Sequence, residues 1–299
     1  MDPRMTPALQ RAGIAHREGE PLSRHTTMGV GGEAAVMAFP SSPEELRTTL
    51  EIRADLEVPH RVLGGGSNLV VVDEGLDELV VNTESLGRVS IRDDGMVTAE
   101  GGANLIRTAL QTTRAGWRGL ENAVGIPGSV GGAAVMNAGA YGFSISDVLQ
   151  EITVYDEEGH PTEPPEGWRF RYRGSSIPEG AAVASLTVAL ERGDPEDLAE
   201  ETRDIADRRR TAQPGGRNAG CIFKNPPDGH AGGIIDGLGL KGRRRGRAVV
   251  SPRHANFVVN EGGATAADVL GLVDEVRERV RAATGVELEL EVKVWGPRT

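Results

Sequence analysis

Two glycine-rich stretches limit what this chain can fold into: Leu63-Gly64-Gly65-Gly66-Ser67-Asn68-Leu69 and Gly125-Ile126-Pro127-Gly128-Ser129-Val130-Gly131-Gly132-Ala133. Runs of glycine make poor helices and strands, and they leave backbone N–H groups that no side chain shields. Both stretches are bordered by apolar, β-branched sequence of the kind that forms strands. Loops of this kind suit a pyrophosphate or a flat cofactor ring. The first is predicted to join two extended segments, 61–63 and 69–72, whereas the phosphate loops of nucleotide folds run from strand directly into helix. Neither stretch is a Walker or Rossmann loop.

A chain of 299 residues is too long for one compact core and predicts two or three lobes with a cleft between them. Its hydrophobic content of 38% and lack of a long apolar run argue for a soluble protein without a membrane span. The N-terminus, Met1-Asp2-Pro3-Arg4-Met5, has no apolar signal-peptide core. A single cysteine, Cys221, excludes a disulfide framework and any cysteine-cluster zinc site. These features read as cytoplasmic. A formal net charge of −11 argues against nucleic-acid binding, which needs a basic face. No protein partner is evident, so a monomer is expected. The histidines His16, His25, His60, His160, His230 and His254 are scattered, without HExxH or an i, i+4 pair, and no metal site is expected.

Punctuation along the chain predicts three blocks, 1–78, 79–193 and 194–299. In the first, Ser42 caps a helix with Pro43 at its first position and Glu45 completing a capping box, and Leu46, Leu50 and Ile52 or Leu56 face the core. The second holds a helix over 104–114 and the second glycine loop. The third opens after the polar stretch Glu191–Asp197 and has the clearest elements. Thr265 caps a helix whose Val269, Leu272, Val273, Val276 and Val280 share one face, and Gly285 stops it. Residues 286–294 alternate strictly, which predicts a half-buried strand with three glutamates on one face. Gly237–Gly242 matches GxGxxG formally but is followed by Arg243-Arg244-Arg245 rather than an apolar helix. The basic run Lys241–Arg247 reads either as a solvated face or as a phosphate contact.

The blocks HTTMGVGG (25–32), LGGGSNLVV (63–71), GIPGSVGGAAVMNAGAYG (125–142), FRYRGSS (170–176), NAGCIFKNP (218–226), VVSPRHANFVVN (249–260) and LELEV (288–292) follow in an order that resembles the UDP-N-acetylenolpyruvoylglucosamine reductases, flavoenzymes of bacterial peptidoglycan synthesis. The resemblance implies an α+β chain: a two-subdomain FAD-binding fold of the PCMH/vanillyl-alcohol-oxidase type, then an α+β substrate-binding domain. It implies non-covalent FAD on the two loops. Gly64, Gly65, Gly66, Ser67 and Asn68 would meet the pyrophosphate, and Gly125, Ile126, Pro127, Gly128, Ser129, Gly131, Gly132, Asn137, Ala138 and Gly139 would form a closely approached wall. NADPH is the implied hydride donor, and a UDP-sugar, UDP-N-acetylglucosamine enolpyruvate, the implied acceptor.

Arg173, Cys221 and Glu291 stand at the family's catalytic positions. Hydride addition to the enol ether leaves enolate-like charge that needs stabilisation and a proton. The Arg173 guanidinium would pair with the substrate carboxylate. Glu291 helps if it carries or shares a proton, because a bare carboxylate opposes the enolate. Cys221 departs from the commonest family pattern, which has serine as proton donor. With an unperturbed pKa of ~8.5, a thiol is the stronger acid and can serve. Its other reading is a small buried hydrophobe. Tyr172, Lys224 and Asn225 are the next candidates for substrate contact, Lys224 toward the diphosphate and Asn225 as a clamp. Packing, solvent exposure and the turn before Pro226 are their alternatives. Ser251, Asn256 and Phe257 read first as residues that shape the domain and second as ligand contacts. The last third shows no tyrosine-bearing insertion, which resembles the family's shorter subtype. A flavin oxidase of the same fold superfamily and a non-catalytic flavin or UDP-sugar binder are the rival readings; neither needs arginine, thiol and glutamate at these positions.

Overall fold

In the computed structural model, which describes residues 1–297, the chain forms α1 (Met5–Arg11), α2 (Pro43–Asp55), α3 (Leu105–Arg114), α4 (Val130–Met136), α5 (Pro195–Ala212), α6 (Ala231–Gly237) and α7 (Ala266–Thr284). It divides into two compact units. Unit 1 comprises Met1–Glu20, Ala34–Gly65 and Asp77–Asp207; unit 2 comprises Pro21–Glu33, Gly66–Leu76 and the residues from Arg208 onward. These units differ from the contiguous blocks 1–78, 79–193 and 194–299. The reason lies in the core of unit 2, where Met28, Val30 and Val70 from early segments are buried with the apolar stripe of α7.

That stripe is Val269, Leu272, Val273, Val276 and Val280, all buried as their spacing predicts. The Thr265 hydroxyl accepts from the Asp268 amide at 3.0 Å, and the Asp268 carboxylate accepts from the Thr265 amide at 3.2 Å. Asp73 accepts from the amides of Ala266 and Ala267 at 2.8 and 2.9 Å, so two more first-turn donors are satisfied from a distant segment. Gly285 ends the helix with φ 75°. Beside α7 lies a four-stranded antiparallel sheet ordered Arg217–Cys221, Phe257–Asn260, Ala248–Val250, Arg244–Arg245. The basic run behaves as a solvated face: Lys241 pairs with Asp236, Arg243 with Glu275 and Arg244 with Glu261.

The strand expected over 286–294 is shorter. Its ladder covers Lys293–Trp295, parallel to Leu69–Val71. Before it, the amides of Glu291 and Val292 both reach the Ile222 carbonyl, at 2.8 and 3.3 Å, and the Lys224 amide reaches the Glu289 carbonyl at 2.9 Å. Two donors on one acceptor break the ladder, yet the alternation in burial survives as far as Val292 and fails at Val294, which is exposed. Leu288 and Val292 are buried, Glu287 and Glu289 exposed, and Glu291 lies between.

Unit 1 is built on a four-stranded sheet ordered His16–Pro21, Glu33–Ala38, Leu76–Asn82, His60–Leu63 and a five-stranded antiparallel sheet ordered Pro161–Thr162, Leu149–Tyr155, Ala182–Ala189, Met96–Glu100, Val89–Ile91. Leu46 and Leu50 of α2 pack with Leu79 and Val81 of the first sheet and with Ala182 and Ala184 of the second, with Ile52 and Leu56 at the edge of this cluster. Small alanines on the second sheet leave room for the helix. Ser42 caps α2 by accepting from the Glu45 amide at 3.2 Å, but the Glu45 carboxylate accepts from Ser41, not Ser42, so the expected capping box is displaced by one residue.

The Arg61 guanidinium donates twice to the Glu78 carboxylate, at 3.0 and 3.2 Å, with both side chains under 10% exposed. Removing one partner strands a buried charge. Glu78→Ala is expected to cost about 3–5 kcal/mol of stability in denaturant titrations, and Arg61→Met added to it should recover much of that loss.

In unit 2, burial first and the charge of Lys241 second hold the half-buried His254 imidazole below its ordinary pKa, against a backbone hydrogen bond that raises it. The unfolded chain therefore binds a proton at His254 more readily than the folded one. Stability is expected to be insensitive to this group above about pH 6.5 and to fall as pH drops from there through the lowered folded value. His254→Gln should flatten that limb in melts taken between about pH 5 and 7.

Candidate active site

Gly64 and Gly65 of the first glycine loop meet the second loop within unit 1. A Cβ on Gly65 would lie 2.7 Å from the Gly128 Cα and 3.1 Å from the Ser129 amide nitrogen, and one on Gly64 would lie 2.3 Å from the Ser129 hydroxyl oxygen. Glycine is required here because two backbones touch. Among the described residues, nothing accepts from the amides of Gly64, Gly65 or Gly66. Gly125 and Gly128 take φ of 87° and 119°.

After Gly128 the chain enters α4, a helix hidden in the sequence by Gly131 and Gly132. Ser129 caps it by accepting from the Gly132 amide at 3.2 Å. Gly131 is needed because a Cβ there would come 2.8 Å from the Gly101 carbonyl oxygen. Asn137 ends the helix in the left-handed conformation, φ 42°. Its side chain accepts from the Ser146 amide and donates to the Arg171 carbonyl, both at 3.2 Å. Ala138 donates to the Ala133 carbonyl, and Gly139 begins the short strand Gly139–Ala140.

The Asn137–Arg171 bond fixes one arm of the hairpin Phe170–Arg171/Gly174–Ser175, and the Ser175 hydroxyl fixes the other by donating to the Val135 carbonyl at 2.8 Å. Arg173 sits at the tip with φ 55°, a conformation unusual outside glycine. Its guanidinium carbon lies 5.0 Å from the centre of the Tyr172 ring, and that ring is 57% exposed. The strained backbone and both tethers aim one arginine.

The segments that carry Cys221 and Glu291 adjoin in unit 2. Cys221 ends its strand opposite Phe257 after an irregularity at Gly220, which takes φ 76°. The Glu291 amide bonds the carbonyl of Ile222, the residue after Cys221. Asn256, read from sequence first as a shaping residue, is 3% exposed and grips both backbone polar groups of Phe223. Its side chain accepts from the Phe223 amide at 3.0 Å and donates to the Phe223 carbonyl at 2.8 Å, while its own carbonyl accepts from Ile222. The signal in the sequence was asparagine amid strand formers.

Residues 212–295 match the C-terminal domain of UDP-N-acetylenolpyruvoylglucosamine reductase, and residues 34–163 match an FAD binding domain. The UDP-N-acetylenolpyruvoylglucosamine reductase 2 of Symbiobacterium thermophilum is 43% identical over 284 residues, covering 94% of this chain and 92% of the relative. The reductase of Bacillus subtilis is 38% identical, covering 93% of each chain. The chain belongs to the UDP-N-acetylenolpyruvoylglucosamine reductase family. A solved member, from Thermus caldophilus, superposes with a TM-score of 0.80 at 38% identity over 95% of this chain and 99% of that one.

As a member of this reductase family the chain takes FAD, and its loops fit the group. A tight glycine turn with free amides is a cradle for pyrophosphate oxygens, and any side chain would fill it. Two candidate substrate contacts are engaged elsewhere. The Lys224 ammonium pairs with the Glu289 carboxylate at 3.0 Å, and the Asn225 side chain accepts from the Ala231 amide at 3.1 Å, capping α6. Of the described residues, no helix is long and apolar enough to cross a membrane.

Gly65→Ala must push the loops apart by moving backbone. An overpacking cost of about 1–3 kcal/mol is expected to weaken FAD binding about tenfold to a hundredfold, read by flavin fluorescence on reconstituting the apoprotein.

Proposed function

We propose that this chain catalyses the NADPH-driven, FAD-dependent reduction of UDP-N-acetylglucosamine enolpyruvate to UDP-N-acetylmuramate. It does so as a monomer in the cytoplasm, with residues 194–299 carrying most of the substrate-binding domain. The observation that carries this reading is the pairing of the Cys221–Lys224 segment with Glu289–Val292, which puts a thiol and a carboxyl on adjoining segments in a chain of this family. FAD, held by the loops of Gly64–Asn68 and Gly125–Gly132, would supply the two-electron chemistry between NADPH and the enol ether.

The chain's own residues manage the charge that hydride addition creates. As the double bond opens, its electron pair moves toward the substrate carboxylate as an enolate. Arg173 pairs with that carboxylate, and its guanidinium stabilises the charge as it develops. The Cys221 S–H gives its proton to the carbon beside the carboxylate, and solvent restores it. Glu291 in its acid form donates a hydrogen bond to the same oxygens, since a bare carboxylate would oppose the enolate. Lys224 exchanges Glu289 for the substrate diphosphate. Exposed Tyr172 packs on substrate, and Asn225 acts through the start of α6.

The purified protein should be yellow, anaerobic NADPH should bleach it, and the enolpyruvyl sugar nucleotide should restore the colour. No reoxidation by that nucleotide would refute the reaction. Cys221→Ala is expected to leave bleaching nearly intact and to slow reoxidation by about 10² to 10⁴. Cys221→Ser should restore much of the rate. Equal loss in both half-reactions would instead mark Cys221 as packing.

A further inference from the structure

Asn68 closes the first glycine loop, where its side chain would be expected to face the cofactor. Instead its side-chain amide donates to the backbone carbonyl of Glu291 at 3.1 Å. Its own carbonyl accepts from the Lys293 amide at 3.0 Å, and the parallel ladder Leu69–Val71/Lys293–Trp295 starts at that point. The Glu291 amide is already held by the Ile222 carbonyl at 2.8 Å.

We propose that Asn68 is a positioning residue for Glu291: its side-chain amide fixes the Glu291 carbonyl, so that the glycine loop also sets the direction of the acid. The proposal rests on the role given to Glu291 above.

Both backbone polar groups of Glu291 are bonded, one from each side. With N–H and C=O held, the peptide planes on either side of residue 291 cannot rotate freely, and the Cα–Cβ bond has one direction. The remaining freedom is in the side-chain torsions. The Glu291 carbonyl lies just before the regular ladder, where a main-chain partner is not supplied by the strand Leu69–Val71; the asparagine side chain takes the place of that partner. A second tether works alongside. Thr27 donates its amide to the Gly66 carbonyl at 3.0 Å and its hydroxyl to the Asn218 carbonyl at 2.7 Å, joining the loop to the strand that carries Cys221. The loop thus reaches both segments of the thiol–carboxyl pair, and Asn68 is the link that ends on the catalytic residue itself.

The test uses the FAD-loaded enzyme and the apoprotein, with Asn68→Ala, Glu291→Ala and the double variant. Asn68→Ala is expected to change FAD affinity, read by flavin fluorescence, and bleaching by NADPH by no more than about twofold, while slowing reoxidation by the enolpyruvyl nucleotide about tenfold to a hundredfold. The loss should fall on the rate constant rather than on KM. In the Glu291→Ala background Asn68→Ala should cost nothing further, because a residue that acts through Glu291 has nothing left to position. Three results would overturn the proposal: FAD affinity falling tenfold or more, equal slowing of both half-reactions, or additive losses in the double variant. Should Glu291→Ala itself leave reoxidation unchanged, the role of Glu291 fails and the proposal falls with it. That outcome is told apart from the others by the single Glu291 variant alone.

Discussion

Two amides, those of Glu291 and Val292, share the carbonyl of Ile222, and the joining of the segments that carry Cys221 and Glu291 depends on that contact. It joins segments separated by most of the last third of the chain and leaves Cys221 and Glu291 on adjoining backbone. Everything around it serves to hold it. Asn256 holds the N–H and C=O of Phe223, α7 packs its apolar stripe into the core that buries Ile222 and Phe223, and Asn68 holds the Glu291 carbonyl. A buried asparagine that satisfies the N–H and the C=O of one residue holds two successive peptide units and makes one arrangement much better than its neighbours.

In unit 1 the corresponding constraint is steric. Gly65 against Gly128, and Gly131 against Gly101, are approaches that a single methyl group would forbid. The hairpin bearing Arg173 is then fixed to the end of α4 by Asn137 and Ser175, so the helix whose glycines permit close packing also aims the guanidinium. Close packing and charge placement are here parts of one local structure.

Much of this was legible in the sequence where one strong local rule applied. The final helix appears with its cap, its stripe and its stop, because periodicity, Thr265 and Gly285 agree. Helix α4 was not legible, since Gly131 and Gly132 argue against a helix until the Gly101 backbone that excludes a side chain is known. The strand over 286–294 was over-read: alternation reports which side chains are buried, and it cannot show that the facing segment meets it irregularly. The present partners of Lys224 and Asn225, Glu289 and the start of α6, were not legible, because no nearby spacing reveals them. The compact units escaped for the same reason, since the early apolar residues Met28, Val30 and Val70 give no sign of packing with α7.

Each unit consists of three separate stretches, so the chain passes between them five times, once inside the first glycine loop between Gly65 and Gly66. Neither unit can therefore be moved into another protein as a single stretch of gene. A recombination event that replaced the last third alone would import α7 without the residues from 21–33 and 66–76 that cover it. New specificity in such a chain is reached by substitution within loops and hairpin tips rather than by exchange of modules.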